Sequence, residues 1–359
     1  MHFLEYIWLD KEGIPRSKIR THEGSQPSVG TFSVNILNKW NFDASSTDQH
    51  EMSNDTEVVL KPVRVYKSPL DVDTFLVLCE LDLEYDQRSP KLETGQPLPN
   101  FNTRYWASKV AEHYAKLYPW FGCEQEYMII DPKTNMPYLW EEHGMEQQGN
   151  YYCSVRYPQC QMNEMAREHL QICAQAGIKI CGINAEVAPS QWEFQVGPGD
   201  LLRVADDLVM ARYLLFRLST KYKVGVTFHP KPVKGDLNGS GCHINFSTEQ
   251  MRHHKKDCMT EIMKAVSGLE HDHPRILKFY GENNSERLTG KHETSSMDKF
   301  THGVGTRHTS VRIPNQVFSQ KYGYIEDRRP ASNIDPYLAL GKLLVATQSG
   351  NSELSINGL

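Results

Sequence analysis

Two glutamates interrupt one of the most apolar segments of the chain. Glu124 and Glu126 lie two residues apart in residues 121–130 (FGCEQEYMII), a segment with the composition of a buried strand. Side chains two apart on a strand leave the same face of a sheet, about 7 Å from one another. Two like charges on a half-buried surface are costly unless a cation neutralises them. The pattern therefore indicates either a cation site or an edge strand with its polar face in water.

A second acidic pair stands in residues 184–196 (NAEVAPSQWEFQV). If Pro189 and Ser190 form a two-residue hairpin loop, Glu186 faces Glu193 directly, and a facing pair of like charges destabilises a sheet. The alternation of apolar and polar residues then places Glu193 opposite the core face. A longer loop opened by Pro189 is the alternative to this register. Two acidic pairs on strands favour a site for a hard divalent cation.

Residues 238–247 (NGSGCHINFS) add a nitrogen donor to these carboxylates. His243, Asn245 and Ser247 share one face of a predicted strand, after a glycine-containing loop. A histidine near glycines is often structural, and the loop is not a phosphate-binding fingerprint. No Walker A motif is present, because Ser285 stands where the first glycine before Gly290 and Lys291 is required. The sequence therefore excludes a P-loop nucleotide site.

Arginines concentrate in the last third of the chain. Between residues 286 and 330 the five arginines are Arg287, Arg307, Arg312, Arg328 and Arg329. Planar guanidinium groups make paired contacts with carboxylates and phosphates, although a solvated charged surface is the simpler alternative. Together with the acidic strands, this cluster predicts metal-assisted phosphoryl chemistry.

Composition excludes several other classes of protein. The 39 Lys and Arg residues against 44 Asp and Glu give a net charge of −5, without the cationic excess of a nucleic-acid binder. No apolar run reaches the length of a membrane span, and residues 1–13 lack the apolar stretch of a signal peptide. The eight cysteines show no CxxC spacing, which predicts free thiols in a reducing cytoplasm.

The chain divides into two predicted domains. Residues 1–86 read as short strands, among them residues 32–37 (FSVNIL), and form a small β-rich domain. Residues 87–102, rich in proline and polar residues, are a linker. Residues 103–359 alternate helices and strands as a larger α/β domain. Its predicted helices cover residues 103–119, 163–176, 206–221, 248–269 and 336–347.

Six segments in collinear order closely resemble glutamine synthetase of the eukaryotic-type class. They are WNFDASS (40–46), PWFGCEQEY (119–127), NAEVAPSQWEFQVGP (184–198), NGSGCHINFS (238–247), RLTGKHETS (287–295) and GYIEDRRPASNIDP (323–336). The resemblance implies an α+β protein, with an N-terminal β-grasp domain before a glutamine synthetase-type catalytic α/β domain. It implies ligation of ammonium to the γ-carboxylate of L-glutamate at the expense of ATP, through γ-glutamyl phosphate. Active sites would be shared between subunits of a ring, usually a decamer, with no nucleic-acid or membrane partner.

The resemblance also assigns roles to individual residues. Two or more Mg²⁺ or Mn²⁺ ions per site would be held by Glu126, Glu186 and Glu193 on the glutamate side and by Glu124, His243 and Glu326 on the nucleotide side. The catalytic positions are Glu293 on a flap, Asp43 from the adjoining subunit, Arg307 and Arg328. The substrate-binding positions are Asn238, Gly239, Arg287 and Arg312. The nucleotide-binding positions are Trp120, Asn245, Ser247 and Tyr324.

Three positions depart from the family pattern. Lys291 stands beside the flap where a bulky apolar residue is usual, Ala44 replaces a glycine, and His229 replaces an aspartate. Ala44 is costly if its position requires a positive φ. None of the three removes a predicted ligand. A related γ-glutamyl-amine ligase and a catalytically inactive structural ring protein are the alternative functions.

Overall fold

The structure is a computed structural model, and it describes residues 1–31, 34–47, 49, 56–82, 102–140, 150–156, 160 and 162–349. The predicted linker 87–102 lies outside these residues except for Asn102. The Nδ2 of Asn102 donates to the carbonyl of Leu81 at 2.8 Å, and Asn102 immediately precedes the first α-helix. The start of the first α-helix therefore lies close in space to Leu81 of the N-terminal domain.

The N-terminal domain is built on a five-stranded sheet in the order β2-β1-β5-β4-β3. Its strands are β1 (His2–Leu9), β2 (Pro15–His22), β3 (Trp40–Asp43), β4 (Glu57–Lys67) and β5 (Thr74–Leu81). β1 and β5 are parallel, and the other pairs are antiparallel. Every residue of β5 is buried, because Phe75 and Val77 pack in the domain's own core while Leu76 and Leu78 join the core of the second domain.

The prediction of a strand at residues 32–37 is wrong for residues 34–37, while residues 32 and 33 lie outside the described residues. Val34–Ile36 forms a turn of 3₁₀ helix, and Ile36 is 61% exposed. In a 3₁₀ helix, side chains three residues apart lie above one another. Val34 and Leu37 therefore both reach the core of the N-terminal domain. The apolar spacing fitted a helical turn as well as a strand.

The C-terminal domain contains an eight-stranded sheet with the main order β11-β12-β13-β10-β6-β8-β7, and β9 pairs with β6. Only the β11–β12 pair is parallel among these strand pairs. The strands are β6 (Trp120–Ile130), β7 (Ile180–Ala185), β8 (Gln191–Gly199), β9 (Gly225–Thr227), β10 (Cys242–Ser247), β11 (His302–Val304), β12 (Val311–Ile313) and β13 (Ile325–Asp327).

The described part of the C-terminal domain also contains seven α-helices. They are α1 (Thr103–His113), α2 (Asn163–Ala176), α3 (Leu201–Tyr222), α4 (Met259–His271), α5 (His273–Ile276), α6 (Asn315–Gln320) and α7 (Pro336–Thr347). The predicted bounds of α2 and α7 are confirmed. α3 begins five residues before the predicted start, because the Asp200 carboxylate caps it by accepting from the N–H of Arg203 at 2.9 Å. The predicted helix 248–269 is a 3₁₀ turn at Gln250–Arg252 followed by α4.

Alternation along the central strands separates an apolar face from a polar one. Phe121 and Tyr127 of β6 and Trp192 and Phe194 of β8 pack with α2 and α3 in the core. The residues between them point to the opposite face, as the sequence pattern predicts. The α+β class, with a strand-built N-terminal domain before a larger catalytic-type domain, is confirmed. No helix in the described ranges is long and apolar enough to cross a membrane.

Candidate active site

Strand register brings the predicted acidic residues into one patch on the open face of the large sheet. Glu126 on β6 lies directly opposite Glu193 on β8. On its other side β6 pairs with β10, and there Glu124 lies opposite His243. One strand further on, Glu326 of β13 is paired with Asn245 of β10. The edge-strand alternative for Glu124 and Glu126 is therefore excluded, because β6 is a central strand.

The predicted facing of Glu186 and Glu193 is wrong. Asn184 lies opposite Glu193, and the N–H of Glu186 donates to the carbonyl of Gln191 at 2.8 Å. Four residues, 187–190, thus form the loop, and Ser190 takes a left-handed conformation with φ of 57°. The like-charge pair that faces across two strands is Glu126 with Glu193. The expected electrostatic conflict exists, but between strands far apart in sequence.

Burial makes these carboxylates poor at holding negative charge without a cation. Burial is the largest cause that raises the pKa of Glu186 to about 8, and Glu126 adds to it. Burial with the charges of Glu124 and Glu126 raises the pKa of Glu193 to about 9. Burial also raises the pKa of Glu126. A bound dication removes this penalty, because it stabilises the ionised form of every carboxylate around it.

One nitrogen and two carboxylates of the patch meet the distance requirement for a shared ion. Ligand atoms of Glu124, Glu193 and His243 all lie within 4.8 Å of one another. Nδ1 of His243 lies 3.6 Å from Glu124 and 3.5 Å from Glu326. Its other nitrogen, Nε2, accepts from Arg287 at 3.1 Å. A set of carboxylates with one imidazole fits a hard or intermediate divalent cation such as Mg²⁺ or Mn²⁺.

His243 is held in its neutral form. Burial is the largest cause that lowers its pKa well below the usual value, and the nearby charge of Arg328 adds to it. Neutral imidazole is the form that binds metal ions. Since the guanidinium of Arg287 can only donate, Nε2 is the accepting nitrogen, and the proton of the neutral ring is on Nδ1, which faces the carboxylates. A cation bound at Nδ1 would require this proton to move to Nε2 and the contact with Arg287 to break.

Arginines form the opposite wall of the site. Glu326 accepts from Arg328 at 2.6 Å and also pairs with Arg312. Arg307 donates to the carboxylate of Glu293, the predicted flap residue, at 3.1 Å, and Arg328 donates to the backbone carbonyl of Glu293 at 3.3 Å. The guanidinium groups therefore lie between Glu326 and the flap, where they can stabilise developing phosphate charge.

Acidic strands, arginines and flap enclose a cavity of about 100 Å³. Most of the predicted metal, substrate and catalytic residues line it: Glu124, Glu126, Glu186, Glu193, Asn238, Gly239, His243, Arg287, Glu293, Arg307, Arg312 and Arg328. Gly239 permits the close approach of Arg287, whose Cγ would lie 2.8 Å from a Cβ at that position. Glu326 does not line the cavity, but it contacts Arg312 and Arg328 of the lining.

A second, larger cavity of about 460 Å³ adjoins the first and shares Glu124 with it. All four predicted nucleotide-binding residues line this cavity: Trp120, Asn245, Ser247 and Tyr324. Its lining is mostly apolar apart from these groups, as expected for a planar heterocycle. The polar and the apolar cavity thus meet at the carboxylate of Glu124.

Asp43 lies outside both cavities as far as the described residues define them. It ends β3 in the N-terminal domain, and its Oδ1 accepts from the backbone and hydroxyl of Ser45 at 3.0 and 2.6 Å. Its neighbour Ala44 is fully buried at the start of a 3₁₀ turn and has no positive φ. The expected backbone cost of replacing glycine at this position is therefore absent.

The other two departures from the family pattern leave the ligands in place. Lys291 is exposed beside the flap, and its N–H donates to the Thr289 hydroxyl at 3.4 Å. Nδ1 of His229 accepts from the N–H of Lys231 at 3.0 Å.

Several residues in or beside the two cavities were not predicted as site residues from the sequence. Tyr152 and His292 line the first cavity, and Arg252 lines the second with its guanidinium 4.1 Å from the Trp120 ring. Nε2 of Gln191 contacts Glu126 and Gly239 of the lining. The position of Gln191 on the face of Glu193 was the one available signal, since alternation places both side chains on the same side of β8.

Comparison with known proteins agrees with this geometry. A family model described as glutamine synthetase, catalytic domain, matches residues 100–355. The glutamine synthetase of Debaryomyces hansenii is 44% identical over 350 residues, covering 97% of this chain and 89% of that protein. The glutamine synthetase of Neurospora crassa is 44% identical over 343 residues, covering 95% of this chain and 90% of the relative.

A solved structure supports the fold independently. A cryo-electron microscopy structure of Plasmodium falciparum glutamine synthetase aligns with a TM-score of 0.75 at 17% identity, over 98% of this chain and 73% of that one. At this identity the likeness concerns the fold alone. The sequence relatives and the family model, which spans most of the chain, decide the classification. This chain belongs to the glutamine synthetase family.

Proposed function

We propose that the chain joins ammonium to the γ-carboxylate of L-glutamate with hydrolysis of ATP, giving L-glutamine, ADP and phosphate. One observation carries this proposal. A row of buried carboxylates and a neutral histidine faces a wall of arginines, at the junction of a polar and an apolar cavity. This is the arrangement that a polyphosphate, divalent cations and a charged amino acid require together.

The carboxylates supply the cation ligands. Glu126, Glu186 and Glu193 are proposed to hold one ion near the glutamate, and Glu124, His243 and Glu326 another near the nucleotide. Bound Mg²⁺ or Mn²⁺ would neutralise the phosphate oxygens and the attacking carboxylate. The three raised pKa values and the 4.8 Å cluster of ligand atoms support these assignments.

The larger cavity is proposed to hold the adenosine part of ATP. Trp120 is 49% exposed and offers its ring for stacking, while Asn245, Ser247 and Tyr324 provide polar contacts. Glu124 lies at the boundary between the cavities, so the phosphates are proposed to point from there toward the arginines. Arg307, Arg312 and Arg328 would then stabilise the charge of the transferred phosphoryl group.

The smaller cavity is proposed to hold L-glutamate. Arg287 is buried and its guanidinium can pair with the substrate carboxylate, and the loop with Asn238 and Gly239 lies beside it. Phosphorylation of the γ-carboxylate converts an oxygen into a phosphate leaving group. Glu293 on the flap would accept a proton from ammonium and cover the acyl phosphate against water.

Self-association is part of this proposal. Asp43, the predicted ammonium-binding residue, lies on neither cavity of its own chain within the described residues. A neighbouring copy in a ring, proposed to be a decamer, would bring its Asp43 to the site.

The eight cysteines are all free, which fits a protein of the reducing cytoplasm.

A coupled phosphate-release assay with direct glutamine detection tests the activity. We expect phosphate and glutamine in equal amounts when ATP, L-glutamate, ammonium and Mg²⁺ or Mn²⁺ are all present. Each component is omitted in turn as a control. Turnover with methylamine but not ammonium would instead indicate a γ-glutamyl-amine ligase. Absence of activity together with absent nucleotide and metal binding in calorimetry would indicate a structural protein.

A further inference from the structure

Gln191 makes three contacts that the assignments above do not use. It begins β8 on the polar face of the sheet and is 1% exposed. Its Nε2 lies 3.1 Å from each of three acceptors: Oε2 of Glu126, the carbonyl of Gly239 and Oγ of Ser240. One amide therefore contacts a proposed cation ligand and the proposed glutamate-binding loop at the same time.

The contact with Glu126 selects which oxygen of that carboxylate faces the cavity. Oε2 accepts from Gln191 and also from the backbone N–H of Gly241 at 2.9 Å. Two donors occupy the lone pairs of Oε2. Oε1 is left on the side of His243, 3.8 Å from its Nε2. Gln191 thus helps to hold Glu126 in a rotamer that presents one oxygen to a cation.

Three more carboxylates are oriented in the same way by neutral amides. Asn184 donates to Glu186 at 2.8 Å, Asn245 donates to Glu124 at 2.7 Å, and Gln195 donates to Glu193. A neutral amide fixes a carboxylate without cancelling its charge, so the charge remains available to a dication. Glu326 differs, because arginines hold it.

The same Nε2 of Gln191 also reaches the loop. Gly239 and Ser240 lie between Asn238 and β10, and the N–H of Ser240 donates to the carbonyl of Pro230 at 2.8 Å. Ser240 is fully buried. Gln191 therefore joins the side chain of Glu126 to this loop, in addition to the backbone contacts between Glu126 and Gly241.

We propose that Gln191 is a positioning residue that couples divalent-cation binding at Glu126 to L-glutamate binding at the loop of Gly239 and Ser240. The part of this inference that concerns L-glutamate binding rests on the proposed function. Groups that hydrogen-bond to metal ligands without contacting the metal typically contribute about 10-fold to 100-fold to metal affinity. Replacement of Gln191 should therefore weaken the binding of the cation and of L-glutamate together, and should weaken the binding of ATP much less.

The test replaces Gln191 with methionine, which keeps the volume and removes the N–H donor. Mn²⁺ affinity is measured by titration of the full protein without substrates, and KM is measured for glutamate and for ATP. For Gln191→Met we expect Mn²⁺ affinity to fall by about 10-fold and the KM for glutamate to rise by a similar factor. The KM for ATP should stay within about twofold, because no Gln191 contact reaches the larger cavity.

A matched control is Gln125→Met. Gln125 is also a fully buried glutamine of the central strands, but it faces the core and accepts from Arg212 at 2.9 Å. Its Nε2 donates to the backbone carbonyl of Glu126 at 2.8 Å, but its hydrogen bonds reach no ligand carboxylate. Its replacement should therefore lower stability while Mn²⁺ affinity changes by less than about twofold. Gln191→Asn is a second variant that keeps an amide one methylene shorter. It should show the same losses as Gln191→Met in weaker form.

Two results would overturn the proposal. The first is an unchanged Mn²⁺ affinity in both Gln191 variants. The second is an equal loss of Mn²⁺ affinity in the Gln191 and Gln125 variants, which would indicate general destabilisation. The Mn²⁺ titration needs no turnover. A wild-type protein without glutamine synthesis would therefore refute the proposed function while the titration still decides the role of Gln191 at the cation site.

Discussion

Two consecutive flap residues have backbone conformations that are unusual for side-chain-bearing residues. His292 has φ of 50° and Glu293 has φ of 62°. Such left-handed residues persist only where the surroundings over-determine them. Here His292 contacts Asp236 at 2.7 Å, while Arg307 holds the Glu293 carboxylate and Arg328 holds its carbonyl. The flap carboxylate is thus placed beside the proposed phosphate position before substrate binds.

Replacement of Glu293 by alanine tests its role as the proton acceptor. We expect glutamine formation to fall by about 100-fold or more, since positioned acid–base groups contribute roughly that much. ATP binding should persist, because Glu293 does not line the larger cavity. Steady-state kinetics and nucleotide titration measure the two effects. Glu270→Ala, at an exposed position on α4, is the control, and a Glu293→Ala variant as active as this control would refute the role.

At the scale of the secondary structure elements, the central strands combine a stable core with an electrostatic cost. The lower faces of β6 and β8 are packed with aromatic residues, and the upper faces carry Glu126, Glu193 and Glu186 nearby. In the absence of cations, ionisation of these carboxylates opposes folding. Packing beneath the sheet compensates for this cost, so the site can keep its shape before metal binds.

The apo protein should lose stability as pH rises. The pKa values of Glu186 and Glu193 rise from an ordinary 4.5 to about 8 and 9. A carboxyl group whose pKa is higher in the folded than in the unfolded state stabilises the fold fully below the unfolded pKa of about 4.5. This stabilisation is lost as the pH rises toward the pKa of the folded state. With chelator present we expect Tm to fall by several degrees between pH 6 and pH 9, since 1 kcal/mol corresponds to about 2 to 4 °C.

Saturating Mn²⁺ provides the contrast for this measurement. The ion holds the carboxylates ionised in the folded state, so Tm should no longer fall over the same pH range. Calorimetry in buffers of different ionisation enthalpy should detect proton release upon Mn²⁺ binding at neutral pH. A chelated protein with a flat Tm from pH 6 to pH 9 would contradict the assignment of these raised pKa values.

At the scale of the whole molecule, a buried charge cluster joins the two domains. Asp206 of α3 is fully buried and accepts from Arg104 at 2.8 Å, Arg64 at 2.9 Å and Tyr337 at 2.9 Å. Arg64 belongs to the N-terminal sheet, whereas the other three residues belong to the C-terminal domain. The cluster therefore fixes the orientation of the domain that carries Asp43.

Asp206→Ala should destabilise the protein by about 3 to 5 kcal/mol, because it leaves buried guanidinium groups without their carboxylate. Urea unfolding at fixed protein concentration measures this loss. Glu112→Ala, which removes an exposed pair with Lys109 at 3.2 Å, should cost less than about 1 kcal/mol. Equal midpoints for the two variants would show that the cluster does not hold the domains together.

Local sequence patterns were sufficient for much of the fold. The bounds of α2 and α7 follow from apolar periodicity with clear stop signals, and the polar face of β6 follows from strict alternation. Short segments failed where two periods fit equally well, as at Val34 and Leu37. The 3₁₀ turn there is favoured by packing against the rest of the N-terminal core, which the segment itself does not encode.

The sequence by itself determined which face of each strand is acidic and which residue types the site contains, since side-chain direction depends only on local alternation. The tertiary structure alone decided that Glu126 faces Glu193, that Gln191 reaches Gly239, and that Asp43 lines neither cavity of its own chain within the described residues. These facts depend on register between strands distant in sequence. Register is set by loop geometry and by the packing of whole elements, neither of which a local pattern contains.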